Sequence, residues 1–341
     1  LNQTADCLPD NVWQESVVAI DMESGDINWK KTVSPLDAWV MVCGFAGAPV
    51  SVSPLCPDRP GPDTDFGMAP TFVPAAYGDG TTGEDSIIIG QKSGEMYSFN
   101  AATGELNWKI LTAPQEGTVG GPGAMSWGMA SDDKTIFYTS INYGARNFTI
   151  LDQQVVNNSV WGAANLKTGG LLWQVPVPDL QLAYTPPSIV GDLMFVGRSG
   201  SRTVENDDTN GQVTGAVVSL SKSTGATLRE FPVSSIQRGG ITIAGGFVIF
   251  GTGYHYQNRF QQGGLYVYGL PDAIELARLA PAVSVRRPTP ATGQESDRPS
   301  SSGTVDAEPA ASSTRPNGSS RMVASVLYPV LGLMAVVVWL G

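Results

Sequence analysis

The sequence predicts an all-β fold of radially stacked sheets, a β-propeller of four to five blades, followed by a disordered stalk and a C-terminal apolar helix. Three observations predict it. One phrase recurs along the first two thirds of the chain, as VVAIDMESGDINWKK (17–31), MYSFNAATGELNWKI (96–110), WGAANLKTGGLLWQV (161–175) and AVVSLSKSTGATLRE (216–230). The 40 glycines and 24 prolines punctuate runs rich in Val, Ile, Thr and aromatic residues, a mixture that suits short strands joined by turns. Residues 322–341 form a charge-free apolar run at the end of the sequence. Three regions follow: a propeller over 1–271, a Pro/Ser/Thr-rich stalk over 272–321, and the hydrophobic segment 322–341.

Each copy of the phrase reads as a strand, a tight turn and a second strand. The glycine (Gly25, Gly104, Gly169, Gly225) supplies the positive φ of the turn, and Asp21, Asn100 or Asn165 bonds the turn backbone from its side chain. A tryptophan stands at a fixed offset after the glycine in three copies, as Trp29, Trp108 and Trp173; Arg229 replaces it in the fourth. An indole at that offset offers a flat surface for packing between neighbouring sheets. Companion strands lie between the phrases in DSIIIGQKSG, DKTIFYTSIN, GDLMFVGRSG and GGFVIFGTGY, and GGLYVYGLP repeats the pattern without the Thr-Gly. The glycines are spaced more widely than the roughly 40–50 residues of an ordinary blade, so loops are inserted at a rim. Sheets that cannot bury both faces alone stack on one another.

The net charge of −11 argues against nucleic acid and against docking on anionic lipid, both of which need a basic surface. Three cysteines cannot all pair within the chain. Cys43 and Cys56, separated by a Gly/Pro-rich loop, either form a disulfide or stay as two buried thiols; the signs of secretion favour the disulfide, which leaves Cys7 over. Residues 322–341 follow small residues at 310–313 and a polar spacer, the pattern of a glycolipid-anchor signal, with a single membrane-spanning helix as the alternative. Asn2, Asn147 and Asn157 open N-x-S/T triplets. Together these place the protein outside the cell, at its surface and held to the membrane by its C-terminus. Leu1 in place of Met, with no signal peptide, suggests a fragment.

The phrase resembles the tryptophan-docking motif of the pyrroloquinoline quinone (PQQ) propellers. The order of DAW, PDTDFG, GQKSG, SWG and GTGY resembles the polyvinyl-alcohol dehydrogenase branch of the quinoprotein alcohol dehydrogenases, over about residues 7–271. The resemblance implies PQQ and Ca²⁺ as cofactors, a small or polymeric alcohol as substrate, and a separate electron acceptor. It places Lys92 of GQKSG against the quinone carbonyls, where a cation stabilises developing negative charge, and Trp127 of SWG beside a planar ring. Lys92 also reads as a solvated hairpin lysine, and Trp127 as inter-blade packing. The family's catalytic aspartate falls on Val40, which leaves Asp37, Asp63 or Asp65 as substitutes; Asp65 also reads as a turn residue. No C-x-x-C-H haem motif and no adjacent cysteine pair occur, and His255, the single histidine, stands in a loop without a role. Two functions follow: a PQQ-dependent alcohol dehydrogenase, or a non-catalytic propeller that binds through its rim loops. An assembly scaffold of the bacterial outer-membrane kind is disfavoured by the C-terminal anchor pattern.

Overall fold

A computed structural model describes residues 13–34, 37–43, 54–58, 60–76, 84–114, 123–178, 181–201, 215–233, 235–253, 263–279, 323–327 and 334–339. These residues are mostly strands, arranged as five successive antiparallel sheets, with a small separate pair, Phe148–Thr149 and Val155–Val156, beside the third. The first pairs Ser16–Ile20 with Ile27–Thr32. The second runs Thr71–Val73, Ser86–Gly90, Glu95–Asn100, Leu106–Leu111. The third runs Ala130–Ser131, Thr135–Ser140, Val160–Asn165, Leu171–Pro176. The fourth runs Ser188–Val190, Leu193–Ser201, Gly215–Ser221, Thr227–Val233, with Gln181–Leu182 added beside Leu193–Ser201. The fifth begins with Ile241–Ala244, Phe247–Thr252 and Gly264–Gly269.

Apolar clusters join each sheet to the next. Val17, the Ile88–Met96–Phe99 group and Ile136 with Tyr138 unite the first three sheets. Phe137, Trp161 and Ala163 meet Met194, Val196 and Val218 between the third and fourth. Phe195, Val217 and Phe231 meet Ile241 and Phe250 between the fourth and fifth. Middle strands are accordingly buried on both faces, as in Glu95–Asn100 and Gly215–Ser221, whereas outer strands such as Leu106–Leu111 keep one wet face.

The repeated phrase is the joint between sheets. Gly25, Gly104, Gly169 and Gly225 all have φ between 70° and 77° and donate their N–H to the carbonyl of the residue four before them. Asp21, Asn100 and Asn165 each accept two turn amides with their side-chain oxygen. Each indole then reaches the next repeat. Trp29 Nε1 donates to the Ala101 carbonyl, Trp108 to Leu166 and Trp173 to Lys222, all at 2.9 Å. The ring lies on the following repeat's glycine: a Cβ at Gly104, Gly169 or Gly225 would stand 2.6, 2.7 or 2.5 Å from the indole of Trp29, Trp108 or Trp173. Glycine is required there for its missing side chain as well as its φ. Arg229, in the fourth copy, lies over its own sheet's Phe231 instead, 5.5 Å from the ring centre.

Cys43 and Cys56 form a disulfide, with Cα atoms 5.1 Å apart. Cys7, Asn2 and His255 lie outside the described residues; Asn147 is exposed and Asn157 half-buried.

Two expectations are corrected. The stalk reading over 272–321 passes over a helix, Pro271–Leu279, which seats Ile274 against the end of the fifth sheet. Proline at the first helical position and Asp272 in the first turn favour it. The apolar segment 322–341 is not a helix over its described residues: Met334–Trp339 pairs with Gly264–Gly269, and Val323–Leu327 pairs with Met334–Trp339. The Val-rich stretch 336–338 and Pro329 between the strands suit this arrangement, and hydropathy alone does not separate a buried strand pair from a helix. Among the described residues, no helix is long and apolar enough to cross a membrane.

Candidate functional site

The long connection between the first two sheets folds back over the end of the strand Ser86–Gly90 and brings Asp63 and Asp65 to Lys92, with Asp37 beside them. The Lys92 ammonium lies 2.9 Å from Asp63 Oδ1 and 2.7 Å from Asp65 Oδ2. Its side chain is 17% exposed, that of Asp63 2% and that of Asp65 57%, so the pair reaches from the interior to solvent. The Lys92 N–H also donates to the Asp65 carbonyl, and its carbonyl accepts Ala124 N–H. Burial works against the Lys92 charge, but the hydrogen bonds and charges of Asp65 and Asp63 outweigh it and raise the Lys92 pKa. Burial likewise opposes ionisation of Asp65, yet its hydrogen bonds with Asp63 and Lys92 and the Lys92 charge hold its pKa low.

Asp37 is buried and joined to this group through Thr64, which stands between the two lysine partners. Its Oδ2 accepts the Thr64 N–H at 2.7 Å and hydroxyl at 3.1 Å, and its Oδ1 accepts Trp39 N–H at 3.0 Å. Gly61, at φ 85°, passes so close that a Cβ there would meet Asp37 Oδ1 at 2.6 Å. Lys92, Asp65 and Asp37 therefore share one place. Val40 is half-exposed and carries no polar group to it.

Glu15 is the residue that sequence reasoning missed. It sits at the entry to the first sheet with φ 50°, is 7% exposed, and accepts a 3.3 Å hydrogen bond from Gln91 Nε2. Gln91, fully buried, also bonds Ser34 and Ser93. Burial first, then the Asp65 and Asp37 charges, push the Glu15 carboxyl up to about 7, against the weaker pull of Gln91 and Lys92. No sequence signal marked it, because a charged residue before a strand ordinarily reads as solvated.

The other wall comes from the segments that lead into the first strands of later sheets. Trp127, at φ 81° and 45% exposed, donates its N–H to the Gly67 carbonyl. Its ring meets Tyr184 edge-on at 5.2 Å, and the Arg238 guanidinium lies 4.3 Å from the Tyr184 ring centre. Asp65, Trp127, Tyr184 and Arg238 stand on the segments that lead into Thr71–Val73, Ala130–Ser131, Ser188–Val190 and Ile241–Ala244, so they line one end of the stack. Thr185 Oγ1 and Gln237 Oε1, both on fully buried residues beside that wall, have no hydrogen-bond partner among the described residues. Backbone strain gathers here too, since Glu15, Asp63 and Trp127 all hold φ values that L-residues rarely adopt.

Radial sheets stapled by tryptophan, with a polar end built from the leading segments, define a PQQ-type repeat propeller. Residues 14–236 match the PQQ_2 family, described as outer membrane protein assembly factor BamB, and the chain belongs to that family. Curated relatives include a polyvinylalcohol dehydrogenase of Pseudomonas sp, 26% identical over 48% of this chain and 22% of its own length. Another, from Sphingopyxis sp. (strain 113P3), is 24% identical over 70% of this chain and 36% of its own. The chain thus spans a fifth to about a third of these relatives. Among solved structures, the quinohemoprotein alcohol dehydrogenase of Comamonas testosteroni is 12% identical, covering 75% of this chain and 37% of that one at a TM-score of 0.41. BamB of Moraxella catarrhalis is also 12% identical, covering 76% and 77% at a TM-score of 0.33. At those scores the two structures carry no argument about function.

Proposed function

We propose that this end of the propeller is a quinoprotein-type site for the oxidation of an alcohol. The convergence of Lys92, Asp63, Asp65 and Asp37 supports the reading, with the exposed indole of Trp127 on the adjoining segment. The residues fit a planar quinone: Lys92 and Arg238 are cations suited to its oxygens, Trp127 offers a ring, and Thr185 and Gln237 keep oxygens unpaired. A bound quinone supplies the two-electron acceptor. The chain's own carboxylates orient a small or polymeric alcohol and take its hydroxyl proton, with Asp37 or Asp65 as the base. A separate electron acceptor completes the cycle. Among the described residues no group of three or more His, Cys, Asp or Glu is placed to hold a metal ion, so no step is routed through calcium.

One observation favours a second reading, a binding propeller without catalysis. Lys92 is already neutralised by two carboxylates, and Asp37 is held by Thr64 and Trp39. Equilibrium dialysis of PQQ against the full chain separates the two. The quinone reading expects binding that weakens at least tenfold in Lys92→Ala while the circular dichroism spectrum is retained. Absent binding, or binding indifferent to both Lys92 and Trp127, leaves the binding propeller.

Extracellular placement belongs to the same proposal, supported by the Cys43–Cys56 disulfide and the exposed triplet at Asn147. Attachment through residues 322–341 is proposed from their hydropathy alone. Release of the surface protein by a phosphatidylinositol-specific phospholipase would support a lipid anchor, and recovery of peptides from 322–341 in the mature protein would exclude one.

A further inference from the structure

The hairpin of Phe148–Thr149 and Val155–Val156 stands beside the third sheet and walls a groove against the second. Phe148 and Thr149 form one side, and residues 111–114, where the outer strand of the second sheet ends, form another. Leu171 and Gln174 of the third sheet close it, around a cavity of about 270 Å³. Its walls are largely apolar, and Leu111 is left 58% exposed. The polar groups of the floor are already engaged. The Thr112 hydroxyl bonds the Gly94 carbonyl, and the Gln174 amide bonds the Thr112 carbonyl, the Tyr138 hydroxyl and the Leu151 N–H. A small polar ligand finds few hydrogen bonds there, whereas a body with an apolar face of ring carbons would cover Leu111 and Phe148.

The chain offers an attachment point for such a body at the lip. Asn147 opens the triplet Asn147, Phe148, Thr149, and both Asn147 and Thr149 are exposed. Asn147 directly precedes the strand whose two residues form the wall. The loop before it is pinned, since the Asn142 side chain accepts the Arg146 N–H at 3.1 Å and donates to the Arg146 carbonyl at 2.9 Å. Beyond it, Ile150 is buried with Val156 and Val160. The triplet at Asn157 is built differently: Asn157 is half-buried, and the hydroxyl of the fully buried Ser159 donates to the Ile141 carbonyl and accepts the Ala183 N–H. A glycosyltransferase engages the hydroxyl of the triplet as well as the asparagine, and of these two only Asn147 presents both in the folded chain. We propose that Asn147 carries an N-linked glycan whose first N-acetylglucosamine seats in this groove, its ring carbons against Leu111 and Phe148. The proposal rests on the extracellular placement of the protein. The tether makes a weak contact sufficient, because a sugar held at the lip is present at an effective concentration in the ~mM range.

The test secretes the full chain from a eukaryotic cell behind a cleavable leader. The leader fixes the compartment, so a failure counts against the site and not against the native placement. Glycopeptide mass spectrometry is expected to find Asn147 occupied in most molecules. Amide hydrogen exchange over 109–113 and 148–156 reads the seat, and it should be slower by about threefold or more in the glycosylated chain than after enzymatic removal of the glycan. Trimming to a single N-acetylglucosamine should keep the slowing. Thr149→Val, which removes the triplet, should reproduce the exchange of the deglycosylated chain. Leu111→Ser should abolish the slowing while Asn147 stays occupied; slowing that survives this substitution would put the sugar elsewhere and overturn the seat. A secreted chain bare at Asn147 would overturn the proposal outright. So would an occupied Asn147 whose glycan can be removed with no change in exchange over either segment, the sugar then standing free in solvent.

Discussion

The joints between sheets and the connection that carries the site are held in opposite ways. The first three joints use the same device: a glycine turn, an indole laid on it and a 2.9 Å hydrogen bond. The connection between residues 33 and 70 uses contacts that occur once, namely the Cys43–Cys56 disulfide, the bonds to Asp37 and the Lys92 ion pairs. The repeated device tolerates variation in its companions because apolar area does most of the work. The single contacts fix polar groups at chosen positions, where one loss leaves a buried charge or oxygen without its partner.

The contrast can be broken at its strongest point first. Trp108→Ala removes a ring that is 8% exposed, together with its bond to Leu166, and should cost about 3–5 kcal/mol in urea unfolding. Trp29→Ala, at a joint whose outer neighbour is uncovered, should cost less. Cys43→Ser with Cys56→Ser should cost about 2–3 kcal/mol by freeing the unfolded chain, with the sheet joints unaffected.

The pH dependence of Glu15 comes next in size. Its folded pKa of about 7 lies above the ordinary 4.5, so the fold holds an extra proton between those values and loses stability as pH rises through that window. Glu15→Gln, which mimics the protonated form, should be more stable than the native chain by about 3 kcal/mol at and above pH 7 and equal to it below about pH 4.5. Thermal melts across pH 4–8 check this, and an equal gain at every pH would show that the charge is not the cause. The smallest effect is expected from Arg229→Trp. The fifth sheet has no Thr-Gly turn to receive the new ring, so the change in stability should stay below about 0.5 kcal/mol.

The joints were legible in the sequence because their chemistry is local. Asp or Asn, glycine and tryptophan at fixed offsets specify turn, φ and ring within one phrase, and the structure adds only which neighbour receives the ring. Half of the candidate site was legible for the same reason, as Lys92 and Asp65 sit in recognisable turns. Glu15, Gln91, Tyr184 and Arg238 were not, since each acquires its setting from another sheet. Glu15 becomes a buried acid only because Gln91, Asp65 and Asp37 arrive around it. The helix expected in the C-terminal segment is a strand pair over its described residues, because apolar length is shared by both. The helix Pro271–Leu279 did carry its start signal, which the surrounding Pro/Ser-rich composition obscured.

The change from tryptophan to Arg229 has a dynamic consequence. The fourth and fifth sheets are joined by the apolar cluster around Phe231, Ile241 and Phe250 and by the Ser188 hydroxyl bonding the Ile241 carbonyl, with Arg229 where the earlier repeats place the docking indole. In native-state hydrogen exchange the fifth sheet should therefore open as its own cooperative unit, at a lower free energy than the second to fourth. Arg238 belongs to the strand-leading segment at that seam. Its opening should separate the Arg238 guanidinium from the Tyr184 ring, 4.3 Å away, while the Lys92 ion pairs stay closed.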